Sequence, residues 1–405
     1  MNRNKNSLPQ LTHQPQSRRS MDIKARNDFP AIGTTLSSYK PNPSSGHNRH
    51  KSHNKRTKSV RKTLKHIFVL VIILAVLTGG YLGFKLYKNV AETFGGNIFD
   101  IFHSTKLIGE SSGRVNILVA GNSADDPGHS GALLTDSIML ISLDTRDNTA
   151  FMLSVPRDLY VNIPGFGYNK INAAYEFGES ENFSQNGYAN GGMGLLEEII
   201  SQKFNIPIDY YALVNYEAFR DSVNAVGGIT VNIQSSYPRG LYDPSIDYAT
   251  GGSLVDLSNG LHTLDGEQAL DLARARGDAP GSYGFANSDF ERTSNQRMML
   301  VALKDKALTV GVLSNPIKLG QLFDSLGKNV KTDLNLSDAR RLYQISTKIP
   351  SNEIASDSLD NANGVDLLQS YTANDGESAL APVNGLNDYS AIDSYVSQIT
   401  AVSAK

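Results

Sequence analysis

The sequence has no cysteine among its 405 residues. A chain without cysteine forms no disulfide framework, binds no metal through thiolates and has no cysteine nucleophile. This composition suits an oxidising exterior in which the domain is not cross-linked. Histidine is also rare after residue 67, where only His103, His129 and His262 occur. Because none of the three lies in a Ser-His-Asp order or another catalytic motif, a serine hydrolase is not indicated.

Acidic residues are almost absent from the first 66 positions, which hold 15 Lys and Arg but only two Asp. The rest of the chain has 23 basic and 38 acidic residues, so the two parts suit different environments. Residues 1–65 are rich in Asn, Ser, Lys and Arg and poor in large apolar side chains, which predicts a disordered tail. No aromatic side chains interleave with the basic ones as a base-stacking platform, so nucleic acid is not an expected partner.

One long run, Ile67–Phe84, carries no charge and has 18 residues, near the lower length for a membrane span. Arg61, Lys62 and Lys65 precede it, and the positive-inside bias then places the tail in the cytoplasm and the remainder outside. A cleaved signal peptide is less favoured, because the basic region is long and the cleavage site is weak.

The sequence therefore predicts four parts of the chain. A disordered basic cytoplasmic tail covers 1–65, a transmembrane signal anchor covers 66–88, a juxtamembrane spacer covers 89–112, and one extracytoplasmic domain covers 113–405. The protein is thus expected in the cell membrane as a single-pass protein, with its main domain outside.

Strand-like and helix-like patterns alternate in this domain, which predicts an α/β fold. The predicted strands are Val115–Ala120, Ser137–Leu143, Thr149–Val155, Tyr210–Asn215, Ile229–Ile233 and an edge strand at Ile354–Leu359. The predicted helices are Leu195–Phe204, Tyr216–Val226, Asp265–Ala273, Asp338–Thr347, Tyr389–Thr400 and one that begins near Ser288. Asp265 and Gln268 resemble a capping box. Gly240–Asn259 is predicted to be a loop.

Charged residues lie at the ends of the second and third strands. Asp136 precedes the second strand, Arg157 and Asp158 follow the third, and Lys170 comes a little later. Open sheets place ligand groups at strand ends. Arginine and lysine bind phosphate, and aspartate with phosphate oxygens suits Mg²⁺. The pattern therefore indicates a site for a metal and a phosphate.

A second group of polar residues lies farther along the chain. Asp289, Arg292 and Gln296 share one face of the helix that begins near Ser288, and Arg274 and Arg276 lie just upstream. Such a face is either the wall of a pocket or solvated surface, and the pattern alone gives the two interpretations equal weight.

Together these motifs resemble the LytR-CpsA-Psr family of cell-envelope phosphotransferases. The matching segments are Thr135-Asp136-Ser137, Ser154-Val-Pro-Arg157-Asp158, Lys170-Ile-Asn172, Asp265-Gly-Glu-Gln-Ala269, Arg274-Ala-Arg276 and Asp289-Phe-Glu-Arg292 followed by Gln296. The resemblance implies an extracytoplasmic α/β domain with a central mixed sheet. It also implies Mg²⁺-dependent transfer of a glycopolymer from a polyprenyl diphosphate carrier to peptidoglycan or another wall glycan, with pyrophosphatase as a side activity.

The resemblance also implies roles for individual residues. Asp136 would bind Mg²⁺, or Mn²⁺ in its place, and the catalytic residues would be Asp136, Arg157 and Asp289. The diphosphate would be held by Arg157, Lys170, Arg274, Arg276, Arg292 and Gln296. Asp158 and Asp289 would orient arginines, or one of them would assist deprotonation of the acceptor hydroxyl. The prenyl tail would lie in an apolar groove between sheet and helices.

The sequence departs from the family pattern at three places. The family usually has a second acid just after the glycine that ends the first strand, whereas Gly121 is followed here by Asn122. Asp125 or Asp126 would substitute, or the metal would be held more weakly. Glu291 stands where glycine is common and Asn295 where arginine is common.

The altered acidic site leaves a second hypothesis open, in which the domain is a non-catalytic receptor or scaffold for envelope precursors linked to polyprenyl diphosphate. A third hypothesis, a membrane-anchored regulator whose tail acts on nucleic acid, is disfavoured, since the sequence has no helix-turn-helix pattern or aromatic platform.

Overall fold

The computed structural model describes residues 106–125, 131–246, 253–285, 289–310, 329–360, 362 and 364–401. The predicted tail and transmembrane segment, nearly all of the spacer, and Asp126 lie outside these ranges. Among the helices that are described, none combines the length and apolar character needed to cross a membrane.

The described part of the chain contains fourteen strands and seven α-helices. The strands are β1 (Arg114–Gly121), β2 (Ser137–Asp144), β3 (Thr149–Ser154), β4 (Tyr160–Ile163), β5 (Gly167–Lys170), β6 (Tyr210–Val214), β7 (Ile229–Ile233), β8 (Leu241–Ile246), β9 (Ser253–Leu257), β10 (Gly260–Leu264), β11 (Val330–Thr332), β12 (Ile354–Ser358), β13 (Leu368–Thr372) and β14 (Ser378–Pro382). The α-helices are α1 (Ala174–Ser180), α2 (Gly192–Phe204), α3 (Tyr216–Ala225), α4 (Gly266–Arg274), α5 (Asp289–Val310), α6 (Leu336–Ser346) and α7 (Ser390–Thr400).

A six-stranded sheet in the order β11-β6-β1-β2-β3-β12 forms the centre of the domain. β1 runs antiparallel to β2 and parallel to β6, and β3 runs antiparallel to β2 and parallel to β12. The predicted α/β class with a central mixed sheet is confirmed, and β12 is an edge strand as predicted.

The hairpin between β2 and β3 follows directly from its turn residues. The Asp144 carboxylate accepts hydrogen bonds from the backbone N–H groups of Arg146 and Asp147, both at 2.9 Å. Asn148 then adopts a left-handed conformation with φ of 55°, which asparagine tolerates better than most residues. The turn fixes the register of the hairpin, and Asp136 and Arg157 consequently flank the same end of it.

The two faces of the sheet are covered differently. Side chains alternate along each strand, so Leu118 and Ala120 face one side of β1 and Ile117 and Val119 the other. The first side packs against α1, α2 and α7 in the largest apolar core of the described residues. Part of the second side packs against α6 and the residues after it, in a smaller apolar core that includes Ile117, Ile345 and Ile349.

A second apolar core forms from α3, α4, α5 and the strands β7 to β10. Ile229, Val231, Leu264, Leu272 and Met299 are among its buried residues. This lobe lies beside the second face of the sheet, where Val119 and Phe219 line opposite sides of a shared pocket.

Gly240–Asn259 is not the continuous loop that the sequence predicts, because β8 and β9 pair antiparallel within it. Asp243 and Pro244 stand inside β8, and both residue types are depleted in strands. Because of these two residues the sequence pattern of β8 does not look like a strand, although β8 and β9 form a two-stranded ribbon with a register shift. The predicted capping box of α4 is present, since the Asp265 and Gln268 side chains bind each other's backbone N–H groups.

Candidate functional site

A pocket of about 430 Å³ lies between the sheet and the second lobe. Its apolar wall consists of Val119, Met139, Val214, Phe219, Leu270, Ala273, Met299 and Leu300. The sheet supplies the first three of these residues and α3, α4 and α5 supply the others. The structure therefore contains an apolar groove between sheet and helices, as the family resemblance implies.

Six of the residues proposed from the sequence lie together in the wall of this pocket. They are Asp136, Arg157, Arg274, Arg276, Arg292 and Gln296. They come from four separate segments: the start of β2, the loop after β3, the end of α4 with the residues after it, and α5. The predicted convergence of these six residues is thus present, and the pocket-wall interpretation of the α5 face replaces the solvated one.

Asp136 and Arg157 form an ion pair in which Arg157 Nη1 donates to Asp136 Oδ1. Burial lowers the pKa of the Arg157 guanidinium, but Asp136, Asp158 and Asp289 together outweigh this effect and raise it. Arg157 is therefore a permanent cation whose position is fixed by the residue preceding β2.

Arg292 is the most buried cation of the pocket, with only 4% of its side chain exposed. Its Nη2 donates to the Asp289 carboxylate and to the Asp136 carbonyl oxygen, each at 3.0 Å. Burial lowers the pKa of this guanidinium to about 10, and the neighbouring Arg276 and Arg157 act in the same direction while Asp289 opposes them. The group is still charged at neutral pH, so a bound anion would relieve the repulsion among the arginines.

Asp289 orients the arginines instead of lining the pocket. One of its oxygens lies 2.9 Å from Arg292 Nη2 and 3.4 Å from Arg276 Nε. Because these two cations already engage the carboxylate, the geometry favours the orienting role among those suggested for Asp289 by the sequence.

Asp243 holds the backbone of the Arg276 segment, a role that no motif in the sequence predicted. Its carboxylate accepts hydrogen bonds from the N–H groups of Arg276 at 3.2 Å and Gly277 at 2.9 Å. Burial raises the pKa of the Asp243 carboxyl, but these bonds and two from Ser245 lower it below its usual value. No local pattern marks this role, since the partners lie 33 and 34 positions away.

Tyr216 also lines the pocket without having been predicted to do so. The Arg274 guanidinium lies over its ring, 5.1 Å from the centroid, which is within the range of a cation–π contact. The aromatic ring therefore holds Arg274 at the rim.

Gln296 braces two elements of the site. Its Oε1 accepts from Ser137 Oγ at 2.8 Å, and its Nε2 donates to the Ala273 carbonyl at 3.0 Å. The amide thus ties β2 to α4, and both of its ends are engaged within the protein.

Lys170 lies apart from the pocket wall. Its Nζ is 3.3 Å from Asp158 Oδ1 and 3.1 Å from Glu377 Oε2. Asp158 Oδ2 in turn lies 3.8 Å from Arg157 Nε. The structure therefore does not place Lys170 with the arginines but connects it to Arg157 through Asp158.

The predicted metal ligands are not gathered at one point. Asp125 accepts hydrogen bonds from Tyr216 N at 3.2 Å and Glu217 N at 2.6 Å, so it helps to cap the first turn of α3, whose N-cap residue is Asn215. Asp125 is not part of the pocket wall, and Asp126 lies outside the described residues. Within the described ranges, no three His, Asp or Glu side chains are grouped so that they could hold a metal ion. Asp136 is the one described member of the predicted metal set in the pocket wall.

The chain was compared with known protein families. The model of the LytR_cpsA_psr family matches residues 86–381. TagU from Oceanobacillus iheyensis is 33% identical over 288 residues, which cover 68% of this chain and 78% of TagU. TagT from Bacillus subtilis is 34% identical over 219 residues, which cover 54% of this chain and 59% of TagT. Both relatives are named polyisoprenyl-teichoic acid–peptidoglycan teichoic acid transferases.

Solved structures give the same correspondence at the level of the fold. A structure described as TagT bound to LI-WTA is 27% identical and superimposes with a TM-score of 0.52. The match covers 72% of this chain and 92% of that one.

Proposed function

The chain belongs to the LytR-CpsA-Psr family, and from this membership and the pocket we propose that it transfers a glycopolymer from a polyprenyl diphosphate carrier to peptidoglycan or another wall glycan. The observation that carries the proposal is a cationic rim directly joined to an apolar pocket. A polyprenyl diphosphate has the complementary halves, a water-averse tail and a highly charged head. The names of the relatives, which pair a polyisoprenyl-linked polymer with peptidoglycan, support the same substrate class.

The apolar wall would take the first part of the prenyl chain. Removing apolar surface from water contributes roughly 25 cal/mol per Å². Met139 and Met299 line the same pocket as the arginines, so a tail buried against them would leave the diphosphate at the rim.

The rim would stabilise the charge that develops on the leaving group. In the proposed reaction the acceptor hydroxyl oxygen bonds to the phosphorus that carries the polymer, and the bond from that phosphorus to the bridging oxygen breaks. The products are a phosphodiester, a polyprenyl monophosphate and one proton. Arg157, Arg276 and Arg292 would hold the departing phosphate through charge-assisted hydrogen bonds that are in place before the reaction.

We propose that the Asp158 carboxylate takes the proton from the acceptor hydroxyl. Asp289 is engaged by two arginines and Asp136 by Arg157. Asp158 also meets two cations, Arg157 Nε at 3.8 Å and Lys170 Nζ at 3.3 Å, but it lies outside the pocket wall and one-third of its side chain is exposed, so an acceptor can reach it. Water in place of the glycan would give the pyrophosphatase side activity.

We propose that Mg²⁺, with Mn²⁺ as an alternative, is the metal cofactor. Asp136 would supply the protein ligand. One carboxylate is enough, because Mg²⁺ usually binds one or two carboxylates together with phosphate oxygens and water. When bound, the ion would neutralise charge on the diphosphate. The capping role of Asp125 makes it a poor second ligand, because its oxygens already accept the N–H groups of α3.

We also propose that 66–88 anchors the domain outside the cell membrane. The charge asymmetry of the sequence and its uncharged run support this location. A lipid-linked donor and a wall acceptor meet on that side.

A non-catalytic receptor for lipid-linked precursors is the second candidate function. It is favoured because the described residues contain no group of three acidic or histidine side chains that could hold a metal ion, and a binder needs the cationic rim and apolar pocket but no activated acceptor.

The test uses the full chain purified in detergent, with a polyprenyl-diphosphate-linked glycopolymer as donor and peptidoglycan as acceptor. We expect covalent transfer that depends on Mg²⁺ and is lost in Asp136→Ala. Lys304→Ala, which removes a cation of α5 remote from the rim, should behave as the parent. Tight donor binding without product, unchanged by Mg²⁺ or Asp136→Ala, would establish the receptor instead.

A further inference from the structure

Three tyrosine rings pack against one another in the strands that follow Arg157 and in β13, outside the pocket. The Tyr160 ring lies 5.9 Å from that of Tyr168 and 5.4 Å from that of Tyr371, measured between centroids. Tyr160 is buried, whereas Tyr168 and Tyr371 are only half-buried. We call these three residues the tyrosine platform.

Strand register explains why the platform adjoins the site. In the β4–β5 hairpin, Tyr160 pairs with Lys170 and Asn162 pairs with Tyr168. Directly opposed residues and those two positions apart share one face, so Tyr160, Tyr168 and Lys170 lie on the same side. The N–H of Leu380 in β14 donates to the Asp158 carbonyl at 3.0 Å, which fixes the hairpin that carries Tyr371 against this segment.

Polar groups connect the platform with Arg157. Arg157, Asp158, Lys170 and Glu377 are joined in series by ion pairs of 3.8, 3.3 and 3.1 Å. The Tyr168 hydroxyl donates to Asn387 Oδ1 at 2.5 Å. Ring faces, amide groups and carboxylates thus lie side by side on one surface.

We propose that the tyrosine platform, with Lys170 and Glu377, binds sugar residues of the acceptor glycan. This inference rests on the proposed function and adds the surface that would bind the acceptor of the transfer. The donor would fill the pocket, so the acceptor needs a different surface that still reaches Arg157. Because the platform is joined to Arg157 through Asp158, a bound glycan would present a hydroxyl beside the carboxylate that takes its proton.

The charges select a hydroxylated chain over a second polyanion. Two carboxylates already neutralise Lys170, so the cation is not left to attract a phosphate polymer. Carboxylate and amide oxygens accept hydrogen bonds from hydroxyl groups. The tyrosine rings offer apolar faces with a polar edge, which suits the C–H faces and hydroxyl rims of sugars.

The test measures binding and transfer with soluble, uncross-linked glycan strands of peptidoglycan and the full chain in detergent. For Tyr371→Ala we expect the dissociation constant and the KM for strands to rise roughly tenfold, equivalent to about 1.4 kcal/mol. The affinity for the lipid diphosphate and kcat at saturating strands should stay within about twofold of the parent. Tyr168→Phe should retain most strand affinity because the ring remains.

Tyr237→Ala is the matched control. Its ring also stacks on a tyrosine, with 4.7 Å between the Tyr237 and Tyr283 centroids, but it belongs to the segment before β8. It should leave strand binding unchanged. If Tyr371→Ala lowers the melting temperature severely, Glu377→Gln provides a variant of an exposed side chain, with an expected smaller rise in the same KM.

Parental strand affinity in both Tyr371→Ala and Glu377→Gln would overturn the inference while leaving the proposed transfer intact. Transfer absent in the parent, with strand binding that still depends on Tyr371, would overturn the proposed function but support the platform. Equal loss of strand and lipid affinity in every platform variant would also count against it, because the platform would then serve only the fold.

Discussion

The two faces of the central sheet differ in how completely they are covered. Leu118 and Val119 are neighbours in β1, yet Leu118 is fully buried in the core under α2 and α7, whereas Val119 lines the pocket. Both faces are apolar, so residue type does not distinguish them. The second lobe does not fill the space beside the second face of the sheet, and four arginines line the pocket that remains. Stability and binding are thus assigned to opposite sides of the same strands.

The largest expected effect is on stability, and it separates the two faces by one residue. Leu118→Ala should lower the free energy of unfolding by about 2–5 kcal/mol, because it creates a cavity in a closely packed core. Val119→Ala should cost less than about 1.5 kcal/mol, since its side chain already borders a pocket, but should weaken lipid diphosphate binding. Denaturant titration and lipid binding measure the two effects. Equal destabilisation by the two variants would remove the distinction between the faces.

The next effect concerns chemistry on the open face. Arg157→Ala should reduce the transfer rate by roughly 10²–10³-fold, because a preorganised donor to the departing phosphate is lost. Steady-state assays with the full chain measure it. Arg146→Ala removes an arginine from the far end of the β2–β3 hairpin and should not change the rate. A parental rate in Arg157→Ala would contradict the assignment of the rim.

The packed side should carry a contribution to stability that weakens as pH rises. Glu197 of α2 is 5% exposed, and burial raises the pKa of its carboxyl to about 7, although the Ala189 N–H opposes the shift. The folded state then binds more protons than the unfolded state between about pH 4.5 and 7, so its stability falls as pH rises through that window. Denaturant titrations across this range should show the fall, and Glu197→Gln should flatten it. A wild-type profile in the Gln variant would exclude Glu197 as the source.

The smallest expected effect tests the predicted metal set at the edge of the open face. Asp125→Ala should lower the free energy of unfolding by about 1 kcal/mol, because two N–H groups in the first turn of α3 lose their acceptor while the N-cap residue Asn215 remains. It should leave the Mg²⁺ concentration for half-maximal transfer unchanged, whereas Asp136→Asn should raise it. A higher Mg²⁺ requirement in Asp125→Ala would return this residue to the metal site.

Local patterns in the sequence predicted the framework of the molecule well. The β2–β3 hairpin and the α4 capping box depend on residues within a few positions of each other, so their signals survive in a single sequence. The convergence of Arg157, Arg276 and Arg292 was predicted through the resemblance to a family, since no periodicity links segments so far apart.

The features that the sequence concealed depend on long-range partners. Asp243 accepts hydrogen bonds from N–H groups more than thirty positions away. It lies in a strand that the sequence did not predict, because proline follows it. Asp125 looked like a displaced metal ligand, but the direction of its carboxylate is decided by the start of α3. Lys170 matched a family motif, yet its ammonium group pairs with Asp158 and Glu377 and does not line the pocket. Glu377 lies more than two hundred positions later in the chain, so no local pattern marks this pair.

The buried Asp243 carboxylate has a consequence for the energetics of ligand binding. It immobilises the main chain at Arg276 and Gly277 through two hydrogen bonds that need no ligand. The entropy of ordering that peptide segment is therefore lost once, when the chain folds, and would not be lost again each time the proposed donor binds.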